Sequence, residues 1–137
     1  MYPEHITKPC EEQLTTAGFK ALKTPEAVTE ILSEKEGTTL LVINSVCGCA
    51  AANARPAVLS SIQHEKHPKN LVTVFAGVDS DAVAKAREFT FPYPPSSPAI
   101  GLFKDGKLVH FIERHMIEGR PAQMIAANLM EAFEQYC

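Results

Sequence analysis

The sequence contains no apolar stretch that approaches the roughly 20 residues needed to cross a bilayer. Residues 1–5, MYPEH, also lack the basic and apolar regions of a secretory signal. The 13 basic and 16 acidic residues give a formal charge of −3, and the chain has no basic run and no cluster of aromatic and arginine residues. We therefore expect a soluble, cytoplasmic protein that binds neither membranes nor nucleic acid.

Cysteine is scarce and unevenly distributed. The chain has four cysteines in 137 residues, and only Gly48 separates Cys47 from Cys49. A small secreted protein would spread its cysteines along the chain as a disulfide framework, whereas a close pair in a reducing compartment is typical of a catalytic, redox-sensing or metal-binding site. The length and the 45% hydrophobic content suit one buried core. We predict a single domain over residues 1–137, with residues 1–20 as an N-terminal arm or helix.

The first half of the chain predicts alternating helices and strands. Thr24 and Pro25 suit the N-cap and the first position of a helix. Residues 38–44, TTLLVIN, form an apolar, β-branched run that is typical of a strand buried on both faces. A helix should follow from about residue 47 to 65, with a kink at Pro56 because an interior proline removes one backbone hydrogen bond.

The second half predicts another strand and helix, a hairpin and a last helix. Residues 71–78 form a second buried strand, and a helix capped by Ser80 or Asp81 follows. A proline-rich loop then leads into two strands around the Asp-Gly turn at 105–106, and Pro121 opens an amphipathic helix. This order predicts an α/β fold, a thioredoxin-like three-layer sandwich with a central mixed sheet flanked by helices. The paired cysteines lie where the first buried strand meets the kinked helix.

The sequence resembles the bacilliredoxins, a thioredoxin-like bacterial family, in short motifs that run from about residue 37 to the end. The motifs are NSVCGCAA at 44–51, ARPA at 54–57, VTVFAG at 72–77, SSP at 96–98, VHFI at 109–112, RH at 114–115, IEG at 117–119 and Cys137. The resemblance implies a thiol–disulfide oxidoreductase that reduces mixed disulfides between proteins and bacillithiol, a low-molecular-weight thiol. It also implies that Cys47 attacks and Cys49 resolves.

The expected partners are bacillithiolated or otherwise disulfide-bonded proteins and the low-molecular-weight thiol. No cofactor and no metal are expected. The sequence leaves the oligomeric state open, and a homodimer is one of the states considered.

The position of Cys47 explains how its thiol could become reactive. Exchange needs a thiolate, and a free cysteine with a pKa near ~8.5 is mostly protonated at neutral pH. The start of a helix favours the anion through its unpaired N–H groups and its macrodipole. A ring closed through Gly48 alone is tight, so we expect a strained, comparatively oxidising disulfide that suits exchange or isomerisation.

Four further residues are predicted to contact the substrate. Ser97 and Pro98 match the place where thioredoxin-like folds keep a cis proline opposite the cysteines, and the backbone there can pair with an incoming peptide. His115 could act near the cysteines as a proton donor or anion stabiliser, and an exposed loop histidine is the alternative. Arg55 could reach a substrate carboxylate, and structural pairing is the alternative.

Three other functions stay open at this point. A disulfide isomerase acting on protein disulfides would use the same cysteine pair, and a binding domain could have the fold without catalysis. A zinc-binding module could combine Cys47 and Cys49 with His64 and His67. If residues 49–64 form one helix, however, its rise of ~1.5 Å per residue separates Cys49 from His64 by ~22 Å, too far to share an ion.

Overall fold

The protein is described by a computed structural model that covers residues 2–137. Within that range the chain forms one mixed sheet with α-helices on both faces. The helices are α1 Glu4–Thr15, α2 Pro25–Leu32, α3 Arg55–Ser61, α4 Ser80–Phe89 and α5 Ala122–Tyr136, with a π-helix at Ala50–Ala54 and a 3-10 turn at Arg114–Met116. The strands are β1 Lys20–Ala21, β2 Thr38–Asn44, β3 Asn70–Phe75, β4 Ala99–Lys104 and β5 Lys107–Ile112.

The sheet has the strand order β1-β3-β2-β4-β5. The central strand β2 runs parallel to β3 and antiparallel to β4. It begins and ends where the sequence predicts, and every residue after Thr38 is buried, as expected for a strand covered on both faces. The two-residue strand β1 is too short to show a sequence period, and the sequence pattern does not predict it.

Helices cover the two faces of the sheet in pairs. Helices α3 and α5 pack together over one core cluster, while α2 and α4 pack together over the other. Leu14 is fully buried in the first cluster and brings α1 into that layer. This arrangement confirms the predicted three-layer sandwich. No helix in residues 2–137 has both the length and the apolar content that a membrane span requires.

The helical segment after β2 differs from the kinked helix that was predicted. Cys47 precedes the first turn, and its carbonyl accepts the N–H of Ala50 at 3.1 Å. The chain then widens into a π-helix, in which the N–H of Arg55 bonds to the carbonyl of Ala50. Pro56 accounts for the widening because it has no N–H to donate and its ring crowds the preceding turn. Helix α3 ends at Ser61, earlier than predicted.

Local sequence signals fix several element boundaries. Thr24 Oγ1 accepts the N–H of Ala27 at 3.1 Å, so the predicted cap of α2 is confirmed. Asp105 and Gly106 have φ values of 52° and 82°, which gives the tight turn expected between β4 and β5. Asp79, rather than Ser80 or Asp81, occupies the N-cap of α4.

Candidate active site

The two paired cysteines lie at the end of β2, where the chain leaves the sheet and enters the π-helix. The Sγ atoms of Cys47 and Cys49 are 2.6 Å apart, and both residues are free thiols that are partly buried. The structure therefore places the two predicted catalytic sulfurs in contact. A Cβ atom on Gly48 would meet nothing within 4 Å, so the reduced pair does not require glycine for lack of space.

Side chains at the end of β2 fix the loop that carries Cys47. Asn44 Oδ1 accepts the N–H of Ser45 at 2.8 Å, and Ser45 Oγ accepts the N–H of Cys47 at 3.0 Å. Asn44 and Ser45 are both buried. These bonds satisfy backbone donors that would otherwise be unpaired at the loop, so they hold Cys47 in one position relative to the sheet.

Arg55 is buried behind this loop, with 2% of its surface exposed. Its Nη1 donates to Asn44 Oδ1 at 2.9 Å and to the carbonyl of Ser45 at 2.8 Å, and its Nε donates to Gln13 Oε1 at 2.7 Å. A buried guanidinium needs such acceptors because its desolvation is costly. Arg55 therefore makes the structural pairing that was the alternative to a contact with a substrate.

Helix α1 contacts the same loop, which the sequence did not predict. Gln13 accepts from Arg55, and the carbonyl of Cys10 accepts from Asn44 Nδ2 at 3.1 Å. Both contacts join residues more than 30 positions apart in the chain. The N-terminal helix therefore supports the loop that carries the reactive cysteine.

The surroundings of the two thiols shift their pKa values in opposite directions. For Cys47, partial burial alone would raise the pKa, but hydrogen bonds from the Cys49 thiol, the Ser45 hydroxyl and the backbone N–H groups of Ala50 and Cys49 hold the pKa below its usual range. Burial, the hydrogen bond to Cys47 and the negative charge on that neighbour raise the pKa of Cys49 to about 11. A thiolate therefore forms first on Cys47.

An open cleft of about 490 Å³ lies beside Cys47. Ser97 lines it, and the Ser97–Pro98 peptide bond is cis. The register of the sheet explains why these residues meet the cysteine loop: Ile43 of β2 pairs with Ala99 of the antiparallel strand β4. Residues just before β4 therefore lie opposite residues just after β2.

Arg114, rather than His115, lines the cleft. Its Nη1 donates to the carbonyl of Ser97 at 3.2 Å, and its Nε pairs with Glu118. His115 is exposed on the same 3-10 turn and does not line the cleft. The reason is that β5 ends at Ile112, and a turn with three residues per repeat sends neighbouring side chains in different directions.

The sequence also missed Arg87, a second arginine that lines the cleft from the last turn of α4. No local motif marks this residue. The available signal was indirect: parallel strands β2 and β3 end at the same edge, so the helix that follows β3 starts near the cysteines. For Arg114, the signal was its place directly after the last strand.

The zinc-type ligand set is not assembled. Across residues 2–137, no group of three or more His, Cys, Asp or Glu side chains could hold a metal ion. His64 Nε2 instead contacts Glu134 Oε2 at 2.7 Å, and His67 Nδ1 contacts the carbonyl of His64 at 3.0 Å.

Comparisons with known proteins agree with this geometry. A family model described as "Disulphide isomerase" matches residues 2–137. A bacilliredoxin of Cytophaga hutchinsonii is 60% identical over 135 residues, covering 98% of this chain and 99% of the relative. A bacilliredoxin of Halalkalibacterium halodurans is 51% identical over 136 residues, covering 99% of this chain and 94% of the relative.

Solved structures support the fold at much lower identity. Thioredoxin from Fasciola hepatica has a TM-score of 0.58 at 15% identity, covering 87% of this chain and 100% of that chain. Thioredoxin O2 from Arabidopsis thaliana has a TM-score of 0.54 at 20% identity, covering 89% of this chain and 97% of that chain. The chain therefore has the thioredoxin fold, and it belongs to the bacilliredoxin family of thiol–disulfide oxidoreductases.

Proposed function

We propose that the protein reduces or exchanges mixed disulfides between proteins and a low-molecular-weight thiol, through Cys47 and Cys49. The observation that carries this proposal is the pair of contacting sulfurs beside an open cleft, one with a lowered and one with a raised pKa. Because the chain belongs to the bacilliredoxin family, bacillithiol is the small thiol that we propose. The proposed partners are proteins that carry this thiol as a mixed disulfide.

The first chemical step belongs to Cys47. Its thiolate attacks one sulfur of the mixed disulfide, so that a bond from Cys47 to that sulfur forms while the substrate S–S bond breaks. The other sulfur leaves as a thiolate and takes a proton from solvent. A thiolate whose pKa is lowered by hydrogen bonds, among them bonds from backbone N–H groups, suits this role.

The second step belongs to Cys49. When Cys47 is part of a disulfide, its negative charge is gone, and one cause of the raised pKa of Cys49 disappears with it. Cys49 then loses its proton to the departing thiol and attacks Cys47 Sγ. The Cys47–Cys49 disulfide forms, the second thiol is released, and the two electrons of the dithiol have reduced the substrate. An external thiol must then reduce the pair.

Trapping of the first intermediate tests the proposal. Cys49→Ser protein would be incubated with one test protein carrying either bacillithiol or glutathione as a mixed disulfide, and adducts would be mapped by mass spectrometry. We expect an adduct on Cys47 that forms faster from the bacillithiolated protein. A matched control, Cys10→Ser in the Cys49→Ser background, should give the same adduct, and Cys47→Ser should give none at the active site.

Three results of this experiment have distinct meanings. An adduct from the bacillithiolated protein alone, or much faster from it, supports both the exchange reaction and the identity of the small thiol. Equal rates from both test proteins support the exchange reaction and contradict a preference for bacillithiol. No adduct on Cys47 from either protein contradicts the proposed function as a whole.

Isomerisation of protein disulfides is the second candidate, and the description of the matching family model favours it. An isomerase needs an attacking thiol but not a net transfer of electrons. Refolding of a test protein with scrambled disulfides separates the two activities. Isomerisation predicts that Cys49→Ser retains this activity, whereas a function limited to reduction predicts that the variant loses it.

A further inference from the structure

Two charged side chains line the cleft beside Cys47, and both are cations. They are Arg87 of α4 and Arg114 of the 3-10 turn. The other lining residues are uncharged apart from the thiol itself: Tyr2, Ser45, Val46, Ala76, Gly77, Ser80, Val83, Ala84 and Ser97. Among residues 2–137, no carboxylate lines this cleft, although the whole chain carries a formal charge of −3. Arg114 is already paired with Glu118, which lies outside the lining, so the positive charge that the cleft offers to a ligand comes mainly from Arg87.

Arg87 is poorly satisfied by the protein. Its Nε is buried and has no hydrogen-bond partner in the part of the chain that the structure describes. Lys85, two residues earlier on the same helix, instead pairs with Glu88 at 3.1 Å and does not line the cleft. Because a buried donor without an acceptor is costly, a ligand that offers an acceptor to Arg87 should be bound favourably. A carboxylate is the acceptor that matches a guanidinium most closely.

We propose that the cleft is a carboxylate-binding subsite, in which Arg87 and Arg114 hold a carboxylate of the low-molecular-weight thiol. This inference rests on the proposed function and adds that the small thiol is recognised through a carboxylate. A cleft of about 490 Å³ has the size of a small-molecule site. Cys47 lines the same cleft, so a thiol anchored there presents its sulfur to the attacking cysteine.

This placement also selects the sulfur that is attacked. With the small thiol in the cleft, Cys47 attacks the sulfur of that thiol, and the protein thiol is the leaving group. The first step then yields a disulfide between Cys47 and the small thiol, together with a free protein thiol. The S–S bond that forms replaces the S–S bond that breaks, and the protein thiolate takes a proton from solvent.

Small symmetric disulfides of different charge test the subsite. In the Cys49→Ser background, each disulfide can only form one adduct on Cys47 and release one thiol, and both products are measurable. The three probes are the disulfides of mercaptopropionate, which is anionic, of mercaptoethanol, which is neutral, and of cysteamine, which is cationic. Each rate is divided by the rate of the neutral probe in the same variant, because this cancels any change in the reactivity of Cys47.

We expect Arg87→Gln to lower the ratio of anionic to neutral rates by about tenfold, the loss of roughly one charge-assisted hydrogen bond. Arg87→Lys should keep part of the ratio, since it keeps the charge but not the fork of donors. Lys85→Gln, which removes one positive charge from the same helix outside the cleft, should leave the ratio unchanged. In the protein that keeps Arg87, higher ionic strength should lower the ratio of anionic to neutral rates, because salt screens the attraction.

Failure of the inference and failure of the proposed function look different in this experiment. If Cys47 reacts with all three probes and Arg87→Gln leaves the rate ratio as it was, the carboxylate subsite is overturned while the exchange reaction stands. An equal drop in the ratio for Lys85→Gln overturns it too, because the effect would then be nonspecific charge. If no probe modifies Cys47, the proposed function itself is overturned.

Discussion

Arg55 is buried at the cysteine loop, on the inner side of the site, and Arg114 is exposed at the cleft, on its outer side. The structure uses their charges differently. Arg55 is 2% exposed and donates to Gln13, Asn44 and Ser45 on the inner side of the site. Arg114 is exposed on the outer side, where its charge acts on both thiols.

The difference separates two tasks. The inner side is closed by hydrogen bonds and sets where the nucleophile lies. The outer side keeps cationic groups at the cleft, where they can interact with a substrate and with the charge that moves between the sulfurs. We expect changes on the inner side to affect stability as well as rate, and changes on the outer side to affect rate alone.

The largest effect should follow from Arg55→Ala. It leaves the carbonyl of Ser45 without a donor and removes one of the two donors to Asn44 Oδ1 in a buried site, so the free energy of unfolding should fall by about 3 kcal/mol. Urea denaturation measures this loss. As the outer-side control, Arg114→Ala should leave the urea midpoint nearly unchanged. Equal losses from the two variants would remove the distinction between the sides.

A smaller loss is expected from Gln13→Ala, which removes one acceptor of Arg55. The free energy of unfolding should fall by about 1 kcal/mol. Because the two residues share a hydrogen bond, the losses of Gln13→Ala and Arg55→Ala should not add in the double variant. Additive losses would mean that α1 does not support the cysteine loop through this pair.

These two variants change Arg55 and Gln13, whose structural roles could not be predicted from the sequence. The strand Thr38–Asn44, the cap at Thr24 and the turn at Asp105 and Gly106 follow from signals within a few residues, and the structure agrees with each of them. Arg55 depends instead on Gln13, 42 positions earlier. An arginine on a helix has the same local pattern whether it ends in a buried network or at the surface, so the sequence left both alternatives for Arg55 open.

The candidate site shows the same limit. The pair Cys47 and Cys49 is evident from spacing alone, and the family resemblance assigned the order of attack. Arg87 and Arg114 reach the cleft because of how α4 packs and where β5 ends. Neither condition is visible in a window of a few residues, and His115 was chosen in place of its neighbour for that reason.

On the outer side, Arg114→Gln should slow the second step of the reaction. The positive charge of Arg114 lowers the pKa of Cys49, which burial and Cys47 raise. Without that charge, release of the second thiol should slow by about threefold, a modest factor because Arg114 is exposed to solvent. Rapid quenching and mass spectrometry of the Cys47 adduct measure this rate.

The smallest effect should follow from His115→Ala. His115 is exposed and does not line the cleft, so the same rate should change by less than about twofold, within the range of surface substitutions. If release of the second thiol is slower in His115→Ala than in Arg114→Gln, then His115, and not Arg114, assists the second step.

The division of roles between the two thiols is tested most directly by site-resolved alkylation of the reduced protein. Initial rates of modification by iodoacetamide would be measured at each cysteine across a pH series, before modification of one thiol can alter the other. The account predicts that Cys47 reaches half of its maximal rate below the free-cysteine value of about 8.5, and that Cys49 does so near pH 11. Equal midpoints, or a lower midpoint for Cys49, would contradict the assignment of Cys47 as the nucleophile.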